Sequence, residues 1–260
     1  MVYSLENKVV LISGSSAGLG AVLADAFAAE GCHIVLNHSS PSAVSTSRAH
    51  TTLAGLQTKY PTQHFGLICA DCAEEADNVR LVRESIELAV SWGLTLNGVI
   101  ANAGWTRFSD IADLNAPRIE DFDRCFAVNV KSPFVLLREA KPVMEKNEDG
   151  GFFIMTSSVA GENAAGSSLA YCVSKAANLH LMRCLAQHQG PKIRVNAVKP
   201  GVLPTEWGLM FGRERLNQII SGTVLKTETT LENCALVFVM LAKNDSITGQ
   251  AVQIDGGQFI

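Results

Sequence analysis

The amino-acid sequence predicts an α/β protein with a doubly wound parallel sheet of about seven strands and helices on both faces. Short runs of apolar or β-branched residues alternate with helical patterns along the chain. These runs are apolar throughout, which is typical of parallel strands buried on both faces. A glycine-rich turn follows the first run. We expect residues 1–260 to form one domain, because this length suits a single large α/β unit.

The predicted elements follow one another in a regular βα order. The strands are expected at Val9–Ile12, His33–Asn37, His64–Ala70, Gly98–Asn102, Phe152–Thr156, Ile193–Val198 and Ala251–Ile254. The helical patterns between them cover 19–30, 43–59, 74–92, 119–145 and 170–189. Gly31 stands where a helix C-cap is expected. Ligands of such sheets bind beyond the carboxyl ends of the strands, so we look for functional residues there.

Bulk composition excludes several classes of partner. The formal charge is −4, from 21 basic and 25 acidic side chains, and no run of like charges stands out. Nucleic acid and anionic membranes are therefore not expected partners. The apolar stretch 235–242 is too short to cross a bilayer, and the first residues lack the layout of a signal peptide. Seven cysteines without a framework spacing suit a reducing compartment, so we expect a cytoplasmic protein.

One cysteine pair has the spacing of a redox or zinc site. Cys69 and Cys72 form C-x-x-C, but the sequence has neither a second such pair nor a downstream His-x-x-x-His to complete a zinc site. We interpret them as small buried side chains at a strand end and expect no metal site.

The glycine turn predicts a dinucleotide site. Ser13-Gly14-Ser15-Ser16-Ala17-Gly18-Leu19-Gly20 leads from the first strand into a helix. Glycines there allow positive φ and let backbone N–H groups approach a pyrophosphate, and the helix N-terminus adds about half a positive charge. The spacing G-x-x-x-G-x-G differs from the stricter G-x-G-x-x-G. Its place after the first strand nevertheless favours a Rossmann-like fold, with Gly14, Ser16, Gly18, Leu19 and Gly20 at the cofactor.

The same turn supports a competing hypothesis. Gly14-Ser15-Ser16-Ala17-Gly18 matches G-x-S-x-G, the nucleophile elbow of α/β-hydrolases, which would make Ser16 the nucleophile of a serine esterase. That elbow needs several strands and an oxyanion loop before it. The short segment before Gly14 contains neither.

Tyr171 and Lys175 are the leading candidates for acid/base chemistry. They lie four residues apart, on one face of a predicted helix. A free tyrosine has a pKa of about 10, and a cation ~4 Å away at an effective dielectric of about 20 is worth roughly 4 kcal/mol. We therefore expect Lys175 to lower the pKa of Tyr171 by up to about three units. The same spacing also occurs on exposed helices, where it carries no chemistry.

Two further polar residues lie near this pair in the predicted fold. Ser158 follows the fifth strand, where its hydroxyl could bond a reacting oxygen. Asn129 lies within the long pattern 119–145, with Pro133 close behind it. This arrangement indicates either a local kink or chemistry.

Together these motifs resemble the short-chain dehydrogenase/reductase family, from the glycine turn to Ile254-Asp255-Gly256-Gly257. The resemblance implies a catalytic tetrad of Asn129, Ser158, Tyr171 and Lys175. It implies that Tyr171 transfers a proton and Ser158 holds the substrate oxygen. Lys175 would also bind the nicotinamide ribose, and Asn129 would order a water of the proton relay. Ser158 is chosen over its neighbour because it directly precedes the x-A-G step.

The resemblance also implies cofactor contacts outside the glycine turn. Asp71 and Cys72 match the adenine-binding step, and Asn102 matches the residue on the ribose side, with Gly104 closing the same turn. The contacts implied near the nicotinamide are Tyr171, Lys175, Pro200, Val202 and Thr205.

The end of the second strand favours NADP(H) over NAD(H). It contains Asn37, His38 and Ser39, without the acidic residue that binds the ribose 2′-OH of NAD. No arginine stands beside Asn37 or at Ala17, so a 2′-phosphate would depend on His38, serine hydroxyls and backbone N–H groups. NADP(H) is the expected cofactor and NAD(H) the alternative.

The glycine turn opens with Ser13, where the family usually has threonine, and this change keeps the hydroxyl.

The expected reaction interconverts a ketone and a secondary alcohol of a small molecule. Residues 202–227 are the expected substrate lid. Apolar residues in the lid and after Gly104 could line a bulky apolar pocket, or equally serve lid packing or oligomer contacts: Leu203, Trp207, Leu209, Met210, Phe211 and Trp105. A non-catalytic cofactor-binding regulator remains a further alternative. The resemblance also implies a homodimer or homotetramer built on the helices that hold Asn129 and Tyr171.

Overall fold

The chain forms a seven-stranded sheet in which every strand pair is parallel. The structure, a computed structural model, describes residues 3–260. The order across the sheet is β3-β2-β1-β4-β5-β6-β7. The strands are β1 Val9–Ile12, β2 His33–His38, β3 Phe65–Cys69, β4 Leu96–Ala101, β5 Gly151–Thr156, β6 Ile193–Pro200 and β7 Ala251–Ile254. The predicted doubly wound parallel sheet is confirmed.

Helices connect the strands. They are α1 Gly18–Ala29, α2 Ala43–Lys59, α3 Glu75–Ser91, α4 Ile119–Phe126, α5 Ser132–Met144, α6 Leu169–Gln189, α7 Glu206–Leu209, α8 Arg213–Gly222 and α9 Leu231–Lys243. A π-helical turn, Ala127–Lys131, joins α4 to α5, and a 3-10 turn, Val159–Gly161, follows β5. None of the helices within residues 3–260 has the length and apolar character that a bilayer span requires.

The apolar character of the strands follows from burial on both faces. In β1, Val10 and Ile12 pack into one hydrophobic cluster with residues of α1 and α9, including Phe27 and Phe238. Val9 and Leu11 pack into a second cluster on the opposite face, with residues of α3, α5 and α6. Because alternate strand residues face opposite sides, a strand covered on both faces must be apolar at every position.

The strand order reverses next to β1, and this places the functional cleft. The chain adds β2 and β3 on one side of β1, then crosses to place β4 on the other side. Two connections therefore diverge at the carboxyl ends of β1 and β4 and leave a crevice between them. The glycine turn after β1 and Asn102 after β4 both lie at this crevice.

The long helical pattern 119–145 contains a π-helical turn rather than one continuous helix. Pro133 has no N–H group, so it cannot donate to the carbonyl of Asn129 four residues earlier. Asn178 of α6 donates its Nδ2 to that carbonyl instead, at 2.7 Å. The backbone around Asn129 thus departs from a regular α-helix. Gly31 has the positive φ expected at a C-cap. Helix α9 is the largest element that the sequence patterns do not predict.

Candidate active site and cofactor cleft

A cleft of about 1230 Å³ lies at the carboxyl ends of the strands. Its wall combines the glycine turn, the ends of β4, β5 and β6, and the first part of the segment 202–227. The predicted site residues in the wall are Gly14, Gly18, Leu19, Gly20, Asn37, Ser39, Asp71, Cys72, Asn102, Gly104, Ser158, Tyr171, Pro200, Val202 and Thr205. Four predicted residues lie behind or beside the wall: Ser16, His38, Asn129 and Lys175.

The glycine turn has the shape that a pyrophosphate site requires. Gly14 and Gly18 adopt φ values of 63° and 57°, which side chains rarely tolerate. A Cβ atom on Gly20 would overlap the carbonyl oxygen of Gly14. Ala17, the N-cap of α1, offers no side-chain acceptor, and the first turn of α1 carries no acidic residue. The first N–H groups of α1 therefore have no side-chain cap, so the turn fits an anionic cofactor group.

Polar side chains fix the turn against β4. The Oγ atom of Ser13 accepts hydrogen bonds from the N–H groups of Asn102 and Ala103, both at 3.0 Å. Asn102 donates its Nδ2 to the carbonyls of Ser13 and Gly14, both at 3.1 Å, and accepts from Thr156 Oγ1. The Asn102 side chain thus supports the turn from beneath, and the serine at position 13 provides the hydroxyl that this contact needs.

The end of β2 differs from the sequence prediction in the direction of its side chains. Asn37 is buried, its Oδ1 accepts from the N–H of Gly14 at 2.9 Å, and its Nδ2 donates to the carbonyl of Ala70 at 3.1 Å. His38 is 5% exposed, and its Nδ1 contacts the carbonyl of Ser40 at 2.9 Å. A 2′-phosphate therefore cannot depend on His38 as expected, because that side chain is turned into the protein. Ser39 is exposed and lies in the cleft wall.

The predicted adenine step lies in the wall, but its side chains have protein partners. Asp71 forms an ion pair with Arg124 of α4 at 3.2 Å. The guanidinium of Arg124 also lies 5.6 Å from the ring centroid of Trp105. Cys72 is buried, and its Sγ contacts Asn37 Oδ1 at 3.8 Å.

Tyr171 lies in the cleft wall at the start of α6. Ser168, the N-cap, accepts a hydrogen bond from the N–H of Tyr171 at 3.2 Å, which fixes the first turn. Burial raises the pKa of Tyr171 above its ordinary value, and the nearby Ser158 hydroxyl opposes that shift. The neighbouring Ser157 points elsewhere, because its Oγ donates to the carbonyl of Lys175.

Lys175 lies beneath the Tyr171 ring. It is 2% exposed, its Nζ donates to the carbonyl of Thr156 at 2.7 Å, and Nζ lies 5.5 Å from the Tyr171 ring centroid. Burial lowers the pKa of Lys175 to about 8. The expected net lowering of the Tyr171 pKa is wrong for this structure, because burial of the phenol dominates and raises that pKa.

Asn129 shapes the wall from behind it. Its Oδ1 accepts from the N–H of Trp105 at 2.9 Å, and its Nδ2 donates to the Trp105 carbonyl at 3.0 Å and to Ser174 Oγ at 2.9 Å. Asn129 is 1% exposed, so its side chain does not reach the cleft. This geometry makes it a positioning residue for the segment after Gly104.

Residues 202–227, the expected lid, contribute aromatic rings to the site. Trp207 packs edge-on against Tyr171, with ring centroids 5.5 Å apart, and Phe211 packs edge-on against Phe108 at 4.9 Å. Thr205 caps the short helix α7 by accepting from the N–H of Gly208 at 3.1 Å. Most of the predicted apolar residues lie in the cleft wall: Leu203, Trp207, Met210, Phe211 and Trp105. Leu209 instead is 60% exposed.

The hydrolase hypothesis has no support in the geometry. Ser16 lies outside the cleft wall, and its carbonyl accepts a hydrogen bond from Thr52 Oγ1 at 3.0 Å. Among the hydrogen bonds within residues 3–260, none joins the Ser16 hydroxyl to a histidine, which a serine nucleophile needs as its base.

Several site residues were not singled out by the sequence patterns. Arg124 and Ser174 contact predicted site residues from α4 and α6. Ser174 could have been found from its position three residues after Tyr171, on the same helix face. Arg124 had no comparable pattern, because its partners Asp71 and Trp105 lie in other segments of the chain.

Comparison with known proteins agrees with this geometry. The family model described as enoyl-(acyl carrier protein) reductase matches residues 14–258. A Streptomyces violaceoruber protein, whose name assigns it as ketoacyl reductase 2 of the granaticin polyketide synthase, is 34% identical over 257 residues, covering 98% of this chain and 97% of the relative.

Solved structures show the same architecture. A blue fluorescent protein from a metagenomic library, in complex with NADPH, has a TM-score of 0.87 and 27% identity, covering 99% of this chain and 100% of that one. A short-chain dehydrogenase/reductase from Serratia marcescens has a TM-score of 0.86 and 30% identity, covering 98% of this chain and 99% of that one. The chain therefore belongs to the short-chain dehydrogenase/reductase family of oxidoreductases.

Proposed function

We propose that this protein is an NADP(H)-dependent oxidoreductase that interconverts a ketone and a secondary alcohol, with Tyr171 as the acid/base. The observation that carries the proposal is the environment of Lys175. Its ammonium is buried directly beneath Tyr171, and no carboxylate among residues 3–260 compensates its charge. An uncompensated buried cation is costly, so its position in a cleft wall beside a phenol favours a catalytic role.

The cleft fits a nicotinamide dinucleotide. The uncapped start of α1 and the glycine turn would hold the pyrophosphate, and Pro200, Val202 and Thr205 line the opposite wall. The absence of an acidic side chain at Asn37, His38 and Ser39 favours NADP(H), and the metagenomic blue fluorescent protein is a structural relative that binds NADPH. When bound, the reduced nicotinamide supplies a hydride to a carbonyl carbon.

The protonation states suit ketone reduction. A pKa raised by burial keeps Tyr171 protonated, so its hydroxyl is a proton donor. An alkoxide is a stronger base than a phenolate, so transfer of this proton to the substrate oxygen is favourable despite the raised pKa. The Ser158 hydroxyl, beside the phenol, would hold that oxygen. The Lys175 cation would stabilise the phenolate that remains.

The aromatic wall favours a bulky apolar ketone as substrate. Trp105, Trp207 and Phe211 line the same cleft as Tyr171, and Trp207 contacts its ring. We further propose that residues 1–260 form a single dinucleotide-binding and catalytic domain with residues 202–227 as its lid. Trp207, which lies within that segment and packs on Tyr171, supports this assignment.

We also propose a cytoplasmic homodimer or homotetramer. The seven cysteines are all free, which suits a reducing compartment. Helices α4, α5 and α6 expose apolar side chains, among them Ile119, Phe134 and Val173 at 74%, 43% and 43%. Sedimentation at micromolar concentration tests the assembly, and a species of monomer mass alone would contradict it.

The variant Tyr171→Phe tests the proposed function. It keeps the ring and its contact with Trp207 but removes the proton donor, so reduction of aryl ketones such as acetophenone should fall by about 10²–10⁴. NADPH affinity, measured by fluorescence titration, should not change. Tyr60→Phe is the matched control, because its hydroxyl bonds Asp25 outside the cleft. Near-full reduction by Tyr171→Phe would overturn the mechanism, and NADPH binding without ketone turnover by the wild type would favour a non-catalytic regulator.

A further inference from the structure

An ion pair joins helix α2 to the start of the lid. Arg48 Nη1 lies 2.7 Å from Glu206 Oε2, although the two residues are 158 positions apart in the chain. Their side chains are 47% and 75% exposed. A surface pair of this kind contributes little to stability, so a better partner can exchange with either side chain.

Arg48 lies on the face of α2 that meets the cofactor end of the sheet. Ser45 and Thr52, three residues before and four after it, share this face. Ser45 Oγ contacts Nδ1 of His38 at 3.3 Å, and Thr52 Oγ1 donates to the carbonyl of Ser16 at 3.0 Å. Arg48 is therefore placed between the end of β2 and the glycine turn.

Glu206 brings the other half of the pair to the same place. It lies in the cleft wall, directly after Thr205. The methyl group of Thr205 is 3.3 Å from the position that a Cβ atom on Gly18 would occupy. The Arg48–Glu206 pair thus lies where α2, the glycine turn and the lid converge.

This position supplies the cation that the end of β2 lacks. His38 is turned into the protein, and no arginine stands beside Asn37 or at Ala17. Given the proposed use of NADP(H), we propose that Arg48 binds the 2′-phosphate of the cofactor and that this phosphate replaces Glu206 as its partner. The phosphate is a dianion that accepts two parallel hydrogen bonds from a guanidinium, so it displaces the single exposed carboxylate.

The exchange predicts that loss of the Arg48 charge and loss of the Glu206 charge change NADPH affinity in opposite directions. Loss of the Arg48 charge removes the phosphate ligand, so NADPH should bind about 10–100-fold more weakly while NADH affinity stays the same. Loss of the Glu206 charge removes a competitor, so NADPH should bind about two- to fivefold more tightly. A purely structural ion pair would instead give effects of the same sign.

Calorimetric titration of NADPH and NADH into the full chain tests the exchange without relying on turnover. The variants are Arg48→Gln and Glu206→Gln, with Arg48→Lys retaining the charge but not the paired donors. Matched controls are Arg83→Gln and Glu87→Gln, which remove the same charges from an exposed pair on α3. Circular dichroism confirms that each variant is folded. Arg48→Lys should lose less NADPH affinity than Arg48→Gln.

The outcomes separate this inference from the proposed function. A preference for NADPH that survives Arg48→Gln would overturn the exchange and leave the proposed function intact. Equal effects of Arg48→Gln and Arg83→Gln would also overturn it, because they would indicate a long-range charge effect. A wild-type protein that binds neither dinucleotide would overturn the proposed function and this inference together. Opposite shifts in the two variants, absent from the controls, would establish it.

Discussion

The side-chain amide of Asn129 hydrogen-bonds both main-chain polar groups of Trp105, accepting from its N–H at 2.9 Å and donating to its carbonyl at 3.0 Å. The amide can do this because the π-helical turn Ala127–Lys131 directs it toward the segment after Gly104. Asn178 bonds the carbonyl of Asn129 itself. Asn129 therefore couples α6 and the turn before α5 to one wall of the cleft.

We predict that Asn129→Ala destabilises the fold and loosens the Trp105 wall. The variant loses its bonds to Trp105 and Ser174, which should cost about 1–3 kcal/mol of unfolding free energy in urea. The KM for a bulky ketone should rise while NADPH affinity changes little. Ser174→Ala removes one of these bonds, so its unfolding free energy should lie between those of wild type and Asn129→Ala. An unchanged KM in Asn129→Ala would contradict the positioning role.

Lys175→Met should stabilise the protein while abolishing reduction. At neutral pH the Lys175 cation is buried without a carboxylate partner among residues 3–260, and this burial lowers its pKa to about 8. A buried apolar side chain of similar length avoids it, so the unfolding free energy should rise by about 1–3 kcal/mol. Thermal and urea unfolding at neutral pH measure the change. A less stable variant would show that the Thr156 contact outweighs the desolvation cost.

The pH dependence of the unfolding free energy should reveal the titration of Lys175. Below a pH of about 8, Lys175 is protonated in both the folded and unfolded states, so its contribution to the unfolding free energy does not change with pH. Between that pH and the unfolded pKa of about 10.4, the unfolded state binds the extra proton. Stability should therefore rise with pH across this window. The difference between wild type and Lys175→Met isolates the effect, and a difference that stays flat above pH 8 would rule it out.

Ketone reduction should depend on the same titration. Lys175 loses its charge as pH rises through about 8, and the phenolate left by Tyr171 then lacks a stabilising cation. We expect kcat/KM for NADPH-dependent reduction to decline above that pH, because this parameter reports groups of the free enzyme. Lys175→Arg keeps its charge at every accessible pH. If this variant is active, the decline in kcat/KM should disappear. A decline that persists would show that another titrating group causes it.

Trp207 should determine preference for bulky ketones. Trp207→Ala removes the edge-on contact with Tyr171 and opens the cleft. An aromatic contact is worth about 0.5–1.5 kcal/mol, so kcat/KM for acetophenone should fall by about two- to tenfold relative to acetone. Trp207→Phe keeps an aromatic edge and should stay near wild type. Equal losses for the two ketones would indicate that Trp207 only packs the lid.

Much of the fold could be predicted from the sequence, because its strongest patterns are local. Each strand is a short apolar run, since β1 and its neighbours are covered on both faces. The glycines at 14 and 18 mark positive φ before any contact is known. The pair Tyr171 and Lys175 could be placed together because they lie four positions apart on one helix.

Other features depended on contacts between distant segments, which no local pattern contains. Asn37 and His38 stand at the expected strand end, but contacts with the glycine turn and α2 hold their polar atoms inside the protein. The rise of the Tyr171 pKa results from burial of its phenol, which spacing along a helix does not report.

The same reason explains the contacts of the lid. Trp207 reaches Tyr171, and Glu206 reaches Arg48, because the strand order brings distant segments of the chain to one crevice. Backbone periodicity arises from interactions between residues a few positions apart, so the sequence displays it directly. The direction and protonation of a side chain depend on the groups that surround it in space, and only the folded chain assembles those groups.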